Sequence, residues 1–385
     1  MKIVFNTRSP HAPASLFYAD AFGAIDGISF FSQDCYEQCD IALFMSYEKD
    51  LADIVAARAK FPHLKIGLID PRGEHVTRCL AAVDFLVVDS LEMKDYFARF
   101  QLPIFLYAEY PNVRRQVKVH AEKRPVVIGY HGNVVHLAGM YPHITLALEE
   151  LARRYPIEFW AMYNLENAGQ CRLGLPGNMP VRHIQWSMEH YETWLSQVDI
   201  GIAPSLMPIR NISRIKRKAT LWKRFFNDTE DDYLTRYKMP SNPGRILVFG
   251  LLGIPVVADF YPSALQVIRD GSNGLLACSC GGWYRALESL VADWRLRQKL
   301  ADAMAGTITA EFDYAIQNER FLAFLQMVVA GAFSSLQENT ILPQERELGR
   351  DLPFWQGISS MMFFRLRKMI SAAGRRMAAR QGRMA

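Results

Sequence analysis

SNPGRILVFGLLGIPVVADFYPSALQVIRDGSNGLLA, Ser241 to Ala277, is the stretch whose reading decides the fold. Ile246 to Leu252 is apolar around Gly250, and Gly253 stands where a helix ends on a left-handed residue. Ile254 to Ala258 is a short run rich in branched side chains, the signature of a strand buried on both faces. Asp259 to Ser263 forms the loop at that strand's carboxyl end, and Ala264 to Arg269 makes one or two helical turns. Asp270-Gly271-Ser272-Asn273-Gly274 is then a tight turn into the strand Leu275-Leu276. Elements packed this closely mark a ligand site, because open α/β sheets bind ligands outside the carboxyl ends of their strands.

Working outward, Lys2 to Asn6, Cys39 to Met45, Lys65 to Ile69, Phe85 to Val88 and Ile104 to Tyr107 read as strands, spaced by helical patterns such as Lys49 to Ala59 and Leu91 to Phe100. After a basic connector, Arg114 to Pro125, a second series begins: Val126 to Tyr130, Ile157 to Met162, Val181 to Gln185, Asp199 to Ala203 and Ile254 to Ala258, with helices over Thr145 to Tyr155 and Glu189 to Gln197. This alternation predicts two parallel sheets with helices on both faces. No GxGxxG follows the first strand, which argues against a dinucleotide-dependent dehydrogenase.

The order and spacing resemble the donor-binding half of the retaining, nucleotide-sugar-dependent group 1 glycosyltransferases of GT-B fold. GIPVVA (Gly253 to Ala258) and VIRDGSNGLL (Val267 to Leu276) match that family's motifs in register. Upstream, VVIGYHGN (Val126 to Asn133) resembles the first strand and glycine turn of its C-terminal domain, and VDIGIAPS (Val198 to Ser205) the strand before the donor loop. Downstream, ALESLVADWRLRQKLADAM after Trp283 resembles its helix pair, so roughly half the chain is covered. The resemblance implies an α/β fold of two Rossmann-like domains: residues 1–121 for the acceptor, 122–310 for the donor, a crossover helix over 311–333, and a linker with a basic amphipathic tail over 334–385. One departure stands out. The family carries two glutamates eight positions apart on the helix before GxPVVA, and those positions here are Pro240 and Val248. Neither side chain accepts a hydrogen bond.

For the donor, the sequence offers Lys238, Ser241, Asn242 and Arg245 as a donor-rich cluster suited to a diphosphate, with Ser263 and Leu265 in the amide-rich loop and Gly129, Gly132 and Asn133 in the glycine turn. His131 in that turn is a candidate contact to phosphate or acceptor, and equally a structural turn residue. An inverting reaction needs a general base on the first half, for which Asp70 at the end of Lys65 to Ile69 and His11 after the first strand are the candidates, each also readable as a cap or turn. Between Pro204 and Lys238 lies an insertion with seven basic residues from Arg210 to Arg224, readable as a lid or acceptor platform and equally as a solvated loop. Asp231-Asp232 read as surface acids. Basic groups neutralise a diphosphate without them, so no metal and no cofactor besides the nucleotide-sugar co-substrate is expected.

The chain has 385 residues, 50% hydrophobic and 22% charged, as in a soluble globular protein. Its apolar runs are too short to span a bilayer, and MKIVFNTRSP enters a strand directly, which points to the cytoplasm. Six cysteines without CxxC spacing argue against zinc. Of the net charge of +5, seven basic residues fall between Leu352 and Ala385 with no acid among them, leaving a slightly acidic body that disfavours nucleic acid as a partner. Met362, Leu366, Met369, Ile370, Ala373 and Met377 share one face of a helical wheel there, a pattern for peripheral binding to an anionic membrane; the same face fits packing on the protein itself. The sequence thus points to a membrane-associated glycosyltransferase acting on a glycan or lipid-linked acceptor. A non-catalytic relative acting as a binding subunit and a nucleotide-sugar epimerase remain the alternatives.

Overall fold

Short apolar runs form most of the strands, and the central ones are buried on both faces while the edges are only partly covered. The computed structural model describes residues 1–32, 35–71, 76, 78–205 and 242–333. The basic insertion, Asp231-Asp232, Pro240, Lys238, Ser241 and the amphipathic tail lie outside the described residues.

Among the described residues the first sheet comprises β1 (Ile3–Asn6), β2 (Ile28–Phe30), β3 (Ile41–Met45), β4 (Lys65–Ile69), β5 (Phe85–Val88) and β6 (Ile104–Leu106). All pair in parallel, in the order β2-β1-β3-β4-β5-β6. The second comprises β7 (Val126–His131), β8 (Ile157–Tyr163), β9 (Val181–Gln185), β10 (Ile200–Ala203), β11 (Val256–Asp259) and β12 (Leu275–Ala277). Its order, β12-β11-β10-β7-β8-β9, is also parallel throughout. Numbered within its own half this is 3-2-1-4-5-6, the doubly wound Rossmann arrangement. Strand β2 was not anticipated: it is a half-buried edge of three residues, too short to show a pattern.

The deciding stretch folds as read. Gly244–Leu251 is a helix with six buried residues, and Gly253 follows it at φ 67°, the left-handed geometry that ends a helix. A Cβ there would lie 3.0 Å from the amide nitrogen of Lys118, so the connector runs close beneath it. That connector belongs to the second half. Gln116 donates to Leu251 O (2.8 Å), Lys118 Nζ to Ser196 O (2.8 Å), and the amide of His120 to Gln298 Oε1 (2.8 Å). Residues 116–120 thus pack on the second half, just ahead of the boundary expected at residue 121.

The second crossing is the helix Tyr314–Val329, which contributes Phe321, Phe324, Leu325 and Val328 to the first sheet's core beside Phe5, Phe22, Phe85 and Tyr107. At the hinge Tyr314 stacks on Tyr110 (4.5 Å, 17°) and donates its hydroxyl to Tyr110 O, while Tyr110 Oη donates to Phe312 O (2.9 Å). Gln317 acts as a mock strand partner to Ala108, accepting its amide (2.8 Å) and donating to its carbonyl (3.1 Å). Both crossings are thus tied together, and they set how the two sheets face one another.

Candidate active site

Between the sheets lies a cleft of about 660 Å³. It opens at the point in the second sheet where the connections diverge, between the neighbours β7 and β10, the place where doubly wound sheets bind ligands. Three strands deliver residues to it from their carboxyl ends: β7 through His131, Gly132 and Asn133, β8 through Asn164, and β9 through Trp186. Pro13 and Phe17 reach it from the first half and Glu109 from the hinge.

Arg245, near the start of the Gly244–Leu251 helix, crosses this crevice. Its guanidinium donates to Pro204 O (2.9 Å) and Ser205 Oγ (2.8 Å) just beyond β10. On the β7 side its Cδ passes so close to Gly132 that a Cβ there would stand 3.0 Å away, and Gly132 has φ 133°, which side-chain-bearing residues rarely adopt. Ser205 is fixed in turn because its amide donates to Asp259 Oδ2 (2.7 Å) at the end of β11. The guanidinium is partly buried, and among the described residues no carboxylate stands within ion-pair distance of it. Its hydrogen bonds go to neutral acceptors only, so it brings a cation without its own counter-ion to a cleft whose lining also holds the carboxylate of Glu109.

His131 is buried, with Nε2 3.4 Å from Arg245 O and its ring edge-on to Phe249 at 4.9 Å. Burial, reinforced by the Arg245 charge, pushes its pKa down to about 3. It is therefore a neutral imidazole at ordinary pH, able to hydrogen-bond but too weak a base to take a proton from an acceptor hydroxyl.

Solved structures of the same architecture are known. HepE of Anabaena in complex with UDP matches with a TM-score of 0.56 at 13% identity, over 85% of this chain and 100% of HepE. Its complex with UDP and glucose gives 0.57 at 12%, over 85% and 99%. A glycosyltransferase of Rickettsia africae gives 0.53 at 10%, over 84% of each chain. The fold is GT-B. No protein-family model matches the sequence, and no curated protein matches it.

Within this GT-B frame the expected site residues separate into two groups. His131, Gly132, Asn133, Asn242 and Arg245 line the cleft together. Asn133 caps the short helix Val134–Ala138 by accepting from Val135 N (3.0 Å), and its amide group stays exposed. Gly129 lies inside β7, where a Cβ would come within 2.5 Å of Val198, so it serves packing. Ser263, expected at the donor, instead gives its hydroxyl to Glu92 of the first half (2.7 Å) and is fully buried. Leu265 is exposed and is not among the cleft-lining residues. Asp70 is 2% exposed at φ 52°, its carbonyl accepting from Ser46 Oγ, and it too is away from the lining; His11 is exposed in the turn just before Pro13. Val248, at the second glutamate position, presents an aliphatic side chain to the cleft.

The residues that sequence reasoning passed over are Trp186, Asn164 and Glu109. Trp186, stacked on Tyr191 at 6.2 Å, immediately follows β9, and Asn164 immediately follows β8, so the carboxyl-end rule applied to every strand would have found both. Glu109 carried no such signal. Asn242 Nδ2 donates to Glu109 Oε2 (3.3 Å) and Asp89 Oδ2 (3.2 Å), a bridge between residues 133 and 153 positions apart.

Proposed function

We propose that this protein is a glycosyltransferase that moves a sugar from a nucleotide-sugar donor to a glycan or lipid-linked acceptor. The carrying observation is Arg245, a cation without a carboxylate partner among the described residues, held across the crevice by Pro204 and Ser205. Departure of a nucleoside diphosphate builds negative charge, and a guanidinium already fixed in place stabilises it without reorganising. HepE, of the same fold, was solved with UDP, which supports a nucleotide at the corresponding cleft. Trp186 and Phe17 offer apolar surface for a base or sugar face. Lys238 and Ser241 remain part of the proposed donor cluster. Asp70 and His11 remain the proposed bases for an inverting outcome.

The reading extends to surface polysaccharide or glycoconjugate synthesis at the inner face of a membrane, with the basic tail on anionic lipid. It requires no resident metal or cofactor, so a chelator is expected to leave turnover unchanged. Calorimetry with UDP-, GDP-, ADP-, dTDP- and CMP-linked sugars tests it: at least one binds and releases its nucleotide in the presence of lipid extract, and silence across the panel from folded protein overturns it. A second reading, a binding subunit without turnover, is favoured by the aliphatic Val248; it predicts donor binding with no nucleotide release from any acceptor.

A further inference from the structure

A second pocket, of about 410 Å³, lies at the other end of the second sheet. Val126, the first residue of β7, lines it, whereas His131, the last, lines the cleft. At about 3.3 Å per residue the strand separates the two by roughly 17 Å. The wall is completed by the junction between the helices Cys280–Ala292 and Trp294–Thr307.

Five basic residues line this pocket, Lys123, Arg124, Arg154, Arg295 and Arg297, against the acids Glu122 and Asp293. Their partners differ. Lys123 is paired with Asp199 (2.8 Å). Arg124 meets Glu122 only at 3.9 Å, with both side chains largely in solvent. Arg154 shares Glu150 with Arg153, at 3.6 and 2.6 Å, and reaches Glu288 at 4.0 Å. Arg295 lies over the ring of Trp294 at 4.7 Å and, among the described residues, has no carboxylate in ion-pair reach. Arg297 is 1% exposed. It donates to the carbonyls of Leu290 (2.6 Å) and Ala121 (2.8 Å), and its Nε has no partner. The fields of two carboxylates, Asp199 and Asp293, reach it, but neither stands within ion-pair distance, and Asp199 is already engaged by Lys123 and by the amide of Val127 (2.9 Å). A buried guanidinium hydrogen-bonded only to carbonyls is compensated only in part, a costly arrangement that a further counter-ion relieves.

We propose that this pocket binds a phosphate group, as a phosphomonoester or diphosphate, carried by a soluble molecule or by the headgroup of an anionic lipid. Arg295 and Arg154 supply exposed forks to the anion, Arg297 supplies fixed positive potential behind them, and Trp294 gives an apolar wall beside it. The site is separate from the cleft and does not depend on the glycosyltransferase reading.

The test uses the full chain, its Arg154→Glu/Arg295→Glu double variant, and Arg245→Ala as a control for the cleft. Calorimetry with inorganic pyrophosphate reads the soluble source. Co-sedimentation with phosphatidylcholine vesicles, with and without phosphatidylglycerol, reads the lipid source. Placed in the Arg245→Ala background, which removes the diphosphate contact of the cleft, the double substitution is expected to lose a further tenfold or so in affinity for pyrophosphate, or in partitioning to anionic vesicles. Whichever probe shows the loss identifies the source. Binding of neither probe by the parent, or equal binding of both in that background with and without the double substitution, overturns the proposal. Should the double variant misfold, Arg295→Gln gives the same comparison with a smaller loss.

Discussion

Arg245 passes over Gly132 with no room to spare: a Cβ on the glycine would stand 3.0 Å from Arg245 Cδ and 2.9 Å from Tyr130 Oη. The glycine turn after β7 and the helix that follows the insertion are therefore one unit, and the crevice geometry depends on a missing side chain. Gly132→Ala is expected to destabilise by about 1–3 kcal/mol through its φ of 133° and to displace Arg245, weakening donor binding as well. Gly271→Ala is the control, since its φ of 74° carries strain but no atom lies within 4 Å. Urea unfolding with donor calorimetry distinguishes them: Gly271→Ala loses stability only.

Replacing Arg245 probes charge and geometry separately. Arg245→Ala is expected to weaken nucleotide-sugar binding roughly tenfold or more, as loss of a charge-assisted contact does. Arg245→Lys keeps the charge but cannot reach Pro204 O and Ser205 Oγ together, so it should recover only part of the affinity. Full recovery with lysine would show that the fork geometry is irrelevant.

The sheets were legible because parallel strands buried on both faces read as near-continuous apolar runs, as Ile41–Met45 and the Val126–Ile128 start of β7 do. The place of Arg245 in the cleft lining was legible because it stands at a fixed offset from Gly253 in a compact motif. What escaped were contacts between the halves. Ser263 reads as a loop donor until Glu92, 171 residues earlier, is seen to accept its hydroxyl. Asn242 reads as a ligand contact until Asp89 and Glu109 take its amide. Such pairs leave no local pattern, because each partner's residue type has its own satisfactory local explanation.

That bridge carries a measurable energy. Asn242 supplies one amide to two buried carboxylates from the other half, and its own oxygen accepts from Gly244 N (3.2 Å). Asn242→Ala is expected to cost about 1–3 kcal/mol. In a double-mutant cycle with Glu109→Gln, an interaction energy of about 0.5 kcal/mol or more is expected. Strict additivity in urea unfolding would show that the contact does not hold the halves together.

The tail prediction rests on sequence alone. Seven basic residues without an acid beyond Leu352 should attract anionic lipid at about 1 kcal/mol per charge near the surface. Deleting residues 352–385 is expected to reduce co-sedimentation with phosphatidylglycerol vesicles, most at low salt, and to leave donor calorimetry unchanged. Equal partitioning of truncated and full chains would remove the membrane from the functional reading.

Two buried histidines set an acid limit on stability. Burial lowers the pKa of His131 to about 3, helped by Arg245, and burial also lowers that of His120, whose Nε2 lies 2.9 Å from Gly253 O. The unfolded chain binds these protons near pH 6.5 while the folded chain refuses them, so the unfolded state holds more protons between those values. Stability is thus fully present above about pH 6.5 and is lost as pH falls toward 3. For His131 alone the loss at pH 5 is about 2 kcal/mol. Asp50, whose pKa burial raises, acts in the opposite sense, so the parent's profile alone does not isolate the histidine. The measurement is urea unfolding of parent and His131→Phe at pH 7.5 and pH 5. The parent should lose about 2 kcal/mol more than the variant over that interval, whatever their absolute stabilities, and identical losses would place His131 in contact with water in the folded protein.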